Sequence, residues 1–168
     1  MNNALLNNIA RFVLLLAAQV IIFNNFNLFG FLNPYPYLLF IILYPVNGNK
    51  SGLLLASFFL GLTVDLFCNS GGVHAAACVV LAYNRPFLFK FAFGLSYEYQ
   101  TVKLNDSLTP ERLTFMVFAV FIHHIVLFIL ELFNIFLIWE MIYRSFLSAI
   151  FTIIFCVIII YLIKPNRK

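Results

Sequence analysis

Apolar residues in this chain form long, nearly unbroken runs, separated by short clusters of Asn, Gly, Pro and charged residues. A helix needs about 20 apolar residues to cross a bilayer. By that measure the runs mark six candidate spans: residues 8–28, 34–46, 52–69, 72–93, 111–138 and 143–163. The second is short and bounded by Pro34, Pro36 and Pro45, which predicts a tilted or partly re-entrant segment. The fourth is interrupted by Asn84-Arg85-Pro86, and a proline that removes a backbone donor predicts a kink there. The fifth is long enough to tilt. The expected fold is all-α: a polytopic membrane helix bundle of about six transmembrane helices, forming a single integral membrane domain over residues 1–168.

Composition supports the same class. The chain is 64% hydrophobic and 10% charged, whereas soluble domains carry about 25% charged residues. Its 22 Phe and 8 Tyr suit a lipid-facing surface with interfacial anchors. The net charge of +4 is scattered at helix ends and forms no continuous stripe, so nucleic acid is not an expected partner. Cys68, Cys78 and Cys156 form no C-x-x-C pair and are odd in number, so they read as small apolar side chains. Arg11 followed by the run Phe12–Phe23 has the look of a signal peptide. NNFNLFG follows it without a small-x-small cleavage pattern, and the segment reads as an uncleaved first helix.

Basic residues orient the expected bundle. With six spans and both termini inside, Arg11, Lys50, Lys90, Lys103, Arg112, Lys164, Arg167 and Lys168 fall at cytoplasmic ends, and only Arg144 falls outside. The reverse orientation would export nearly every positive charge, against the positive-inside rule. The expected location is a cytoplasmic (inner) membrane, multi-pass, with Trp139 and Tyr143 at the outer interface and Tyr161 at the inner one. Residues 94–110, carrying Glu98, Lys103 and Asp106, form the largest cytoplasmic loop.

A charge in hydrocarbon costs at least about 2.5–3.5 kcal/mol, so each one there needs a partner or a purpose. Asp65, His74 and Arg85 are such residues. Asp65 and His74 flank the turn Asn69-Ser70-Gly71-Gly72 and are expected to pair as a polar clip or a partner-facing site. Arg85 is expected to snorkel, to bind backbone carbonyls freed at the kink, or to contact a lipid phosphate or a partner. Small residues at four-residue spacing, Gly52/Ala56 and Ser57/Gly61 in the third span, face a strip of Gly71, Ala75, Cys78 and Ala82 in the fourth. Small side chains let helices approach closely in lipid, so Gly61, Gly71, Gly72, Ala75 and Ala76 are candidates for helix packing or for docking a partner. In the fifth span His124, Glu131 and Asn134 share a face and are expected to form an inward polar seam, while His123 points about 100° away. No metal site is expected, since adjacent histidines on one helix cannot readily ligate one ion. Asn33-Pro34-Tyr35-Pro36-Tyr37 reads as a rigid extended lead into the second span, its tyrosines in an interfacial belt. No H-E-x-x-H, G-x-S-x-G, P-loop or Rossmann glycine pattern occurs, and neither an enzyme nor a cofactor is expected.

The stretches NPYPYLLF at 33–40, GLTVDLF at 61–67, GVHAAA at 72–77 and Arg85-Pro86 resemble the MreD family, the integral membrane component of the bacterial rod-shape machinery. The resemblance is specific over roughly a third of the chain; elsewhere only the topology corresponds. It implies a non-catalytic membrane scaffold or regulator of cell-wall elongation, with an MreC-like single-span protein as direct partner. A RodA-type glycosyltransferase, a penicillin-binding transpeptidase and the MreB filament would be indirect partners, and membrane lipid would surround it. It also implies a fold similar to the substrate-binding components of energy-coupling-factor vitamin transporters, which provide the alternative function. Those components often carry Ala-x-x-x-Ala on their first span. The matching region here, Leu16 to Ile22, lacks it, which favours the scaffold.

Overall fold

The computed structural model describes residues 2–30, 32–94, 108–132 and 134–163. Its elements are α1 (Asn2–Ile21) with a 3-10 turn at Phe23–Asn25, a 3-10 turn Pro36–Leu38 running into the four-residue α2 (Leu39–Ile42), α3 (Lys50–Cys68), α4 (Val73–Phe93), α5 (Pro110–Leu132), a 3-10 turn Ile135–Leu137 and α6 (Ile138–Ile163). Among the described residues there is no strand, only an isolated bridge between Leu28 and Leu32. Among the described residues, five helices are long and apolar enough to cross a membrane. The expected loop 94–110, with Glu98, Lys103 and Asp106, lies largely outside the described residues, as do Lys164, Arg167 and Lys168.

The second expected span is the main correction. Residues 34–46 hold one short helix, and Tyr35 through Ile42 are all buried, so this segment is not a sixth membrane-length helix. It runs antiparallel to α1. Gln19 Nε2 donates to the Pro34 carbonyl at 3.2 Å near one end, and an Arg11 Nη1 donates to the Leu43 carbonyl at 2.8 Å near the other. Irregular backbone at this depth is tolerated only where protein covers it. Here α1, α4 and α6 do so. Tyr35 and Tyr37, expected in an interfacial belt, are buried for the same reason.

Local chemistry sets the other boundaries. Asn49 caps α3, its Oδ1 accepting from the Ser51 and Gly52 N–H groups at 3.0 and 3.3 Å. Asn69, with φ of 54°, ends α3 in the left-handed region. Gly71 and Gly72, at φ of 68° and 98°, complete the reversal, and a Cβ on either would meet nothing within 4 Å. Their role is the turn, not close packing. The expected fourth span, 72–93, is a single helix, α4, which carries Pro86 in its interior and runs on to Phe93. The expected fifth span ends early, at Leu132. Asn134 Oδ1 accepts from the Phe136 N–H at 3.0 Å and starts a new turn, so α6 begins at Ile138 rather than 143.

Candidate functional site: a buried polar core

Asp65 lies in the last turn of α3, and its carboxylate serves α4. Oδ1 accepts from the His74 N–H at 3.0 Å and from Ser70 Oγ at 2.5 Å, and Oδ2 accepts from the Ala75 N–H at 2.8 Å. The first N–H groups of a helix have no partner within it. A buried carboxylate there satisfies them and lies at the positive end of the helix dipole. The expected pairing of Asp65 with the His74 ring is therefore corrected. The carboxylate takes the His74 backbone, and the ring turns elsewhere.

One turn before Asp65, Gly61 lets α3 touch α4. A Cβ on Gly61 would stand 2.5 Å from Ala75 Cα and from the His74 carbonyl oxygen. Those are backbone atoms and cannot step aside. Gly61, Asp65, His74 and Ala75 thus form one clamp on the first turn of α4, while Ala76 is only half-buried. The Gly61 face is filled by α4 itself.

The His74 ring joins a core centred on Tyr37. Tyr37 Oη lies 2.9 Å from His74 Nδ1 and 2.9 Å from His123 Nε2. A phenol has one hydrogen, so it donates to one ring nitrogen and accepts from the other. Cys78 Sγ is 3.9 Å from His123 Nε2. His123 Nδ1 is buried with no hydrogen-bond partner among the described residues. An orphaned acceptor costs less than an orphaned N–H, which places the His123 proton on Nε2, donated to Tyr37, with Tyr37 donating to His74.

His124 faces the other way into a second chain of bonds. Its Nδ1 lies 2.8 Å from the Val120 carbonyl, which can only accept, so Nδ1 carries the proton. Nε2 then accepts from Thr152 Oγ1 at 3.1 Å, and Thr152 in turn accepts the Tyr35 N–H at 3.0 Å. The Tyr35 ring packs against both His74 and His124, with centroids 5.2 and 5.5 Å away. His123 and His124 are both fully buried although they point about 100° apart, because the 35–42 segment covers one and α6 the other. The expected seam is corrected accordingly: His124 is in the core, but Glu131 and Asn134 are exposed, Asn134 beyond the end of α5.

Arg85 sits at the other end of the short segment. Its Nη2 donates to the Tyr44 carbonyl and, at 3.5 Å, to that of Ile42, and its guanidinium lies 4.6 Å from the centre of the Phe89 ring. A four-residue helix leaves carbonyls without intrahelical partners. Arg11 and Arg85 supply them from two sides. The expected carbonyl contact is thus made, to the neighbouring segment rather than to the α4 backbone.

Tyr37, Thr152, His123 and Gln19 are buried polar residues, and Arg11 a half-buried one, that the sequence did not single out as sites. Gln19 was visible as the one amide inside the apolar run of the first helix, and Arg11 as its one charge. Thr152 carried no signal, since Thr is ordinary in an apolar helix. Among the described residues no three His, Cys, Asp or Glu side chains are grouped to hold a metal ion. No protein-family model, curated protein or solved structure matches the chain.

Proposed function

We propose that the chain is a non-catalytic membrane scaffold of the MreD type, residing in a bacterial inner membrane with both termini cytoplasmic and binding an MreC-like single-span partner. The observation that carries the reading is a convergence. Tyr35, Tyr37, Asp65, His74 and Arg85, the residues on which the resemblance rests, lie up to 50 positions apart yet meet in one hydrogen-bonded core or on the segment it surrounds. Their polar atoms hold backbone and one another. That use of polar groups supports a rigid frame that presents its outer faces to other helices.

The vitamin-transporter reading ranks second. Tyr37 Oη, His74 Nδ1, His123 Nε2 and both His124 ring nitrogens, polar atoms that a ligand in the core would need, are bonded internally.

Co-expression with the MreC-like protein of the same organism, followed by affinity purification in mild detergent, tests the proposal. A stoichiometric complex is the expected result. Recovery of the chain alone, carrying a tightly held vitamin, would overturn it.

A further inference from the structure

Tyr83 is the midpoint of α4, a helix of membrane-crossing length, with ten residues on either side of it. At 1.5 Å per residue it lies about 15 Å from each end, yet it is 74% exposed. Tyrosine is usual at the membrane edge, where its hydroxyl meets water. From the middle of a hydrocarbon layer about 30 Å thick its side chain reaches neither edge. Asn84 beside it is half-buried and gives one amide hydrogen to the Val80 carbonyl at 2.8 Å. Its second amide hydrogen and its Oδ1 have no partner among the described residues. We propose that this face of α4 pairs with the same face of α4 in a second copy of the chain, about a two-fold axis along the membrane normal.

Chemical complementarity selects that occupant. Copies inserted in one orientation bring their α4 helices together in parallel, so each residue meets its own counterpart at the same depth. A phenol hydroxyl and a carboxamide each both donate and accept. Tyr83 and Asn84 of one copy can therefore satisfy Asn84 and Tyr83 of the other. Lipid tails offer no such groups, and polar side chains that hydrogen-bond across helices hold membrane helices together. The spacing fits as well. Ala76, Val80, Tyr83 and Phe87 recur at intervals of four, three and four residues, the pattern of a parallel paired-helix seam. They lie on the face opposite Cys78, Leu81 and Arg85, which point into the bundle. Ala76 and Val80 are half-buried, and Phe87, like Tyr83, is exposed. The pairing depends on α4 crossing the membrane and is independent of the MreC-like partner.

Energy transfer between donor- and acceptor-labelled copies of the full chain, purified alone and reconstituted in phosphatidylcholine vesicles, tests this. The expected result is transfer above the random-proximity level that falls as lipid is added. Tyr83→Phe, which removes only the hydroxyl, and Asn84→Leu should each weaken association about threefold to tenfold. The double variant should show random-proximity transfer alone. A second measurement uses cross-linking in native membranes, with Cys68→Ser removing the exposed native thiol. Phe87→Cys should form an oxidised dimer, and Ile154→Cys, on an exposed face of α6, should not. Random-proximity transfer in the unaltered chain would overturn the proposal, as would full association of the double variant. So would a dimer formed through Ile154→Cys and not Phe87→Cys, or cross-linking of Phe87→Cys to a different protein in place of a second copy.

Discussion

The Asp65 carboxylate accepts the Ala75 backbone N–H at 2.8 Å, so a side chain of one helix caps the next. Asparagine at 65 keeps one acceptor oxygen, whereas alanine leaves two helix N–H groups and the Ser70 hydroxyl unserved. Each unsatisfied buried group costs about 1–3 kcal/mol. Asp65→Ala should therefore lower the melting temperature in detergent clearly more than Asp65→Asn. Equal losses would mean that the charge, not the capping, matters.

Gly61 and Gly52 make a matched pair. A Cβ at Gly52 has its nearest contact at 3.6 Å, an ordinary distance, while one at Gly61 meets backbone at 2.5 Å. Gly61→Ala should cost about 1–3 kcal/mol through overpacking, and Gly52→Ala close to nothing. Thermal unfolding followed by size-exclusion fluorescence reads both. A neutral Gly61→Ala would show that α3 and α4 can separate freely.

The two neighbouring histidines should be opposite neutral tautomers, His123 protonated on Nε2 and His124 on Nδ1. Solid-state NMR of ¹⁵N-labelled His in lipid distinguishes the two directly. Tyr37→Phe, which removes the hydroxyl joining His74 and His123, should destabilise by about 1–3 kcal/mol. Identical tautomers would break the proton order argued for the core.

Chain direction predicts sidedness. Because residues 34–43 return alongside α1, Asn27 and Cys68 lie at one end of the bundle and Asn47 at the other. An impermeant thiol reagent on intact cells should label Cys68 and Asn27→Cys alike and spare Asn47→Cys, with Cys78 and Cys156 buried. The same pattern at all three positions would rule out the crossing.

The long helices were legible because nothing competes with twenty apolar residues in a row. The boundaries of α3 and α4 were nearly so, since Asn49, Asn69 and two glycines act locally. The 34–46 segment was not, because its proline spacing signals a break while its burial depends on helices far along the chain. The histidine core was half legible: spacing told which way His123 and His124 point, but not that protein waits on both sides. Glu131 was misplaced because the helical face carrying it runs past the covering helix.

The short segment also bears on how the protein is made. Helices α1, α3, α4, α5 and α6 each carry enough apolar length to partition into lipid one at a time as they emerge from the ribosome. Residues 34–46 do not, and although Arg11 of α1 can serve the Leu43 carbonyl, those of Ile42 and Tyr44 would be bare in hydrocarbon until Arg85 arrives about 40 residues later. Assembly is therefore out of chain order: the segment settles only after the hairpin that follows it, and a chain cut before α4 would leave residues 34–46 at the surface rather than across the membrane.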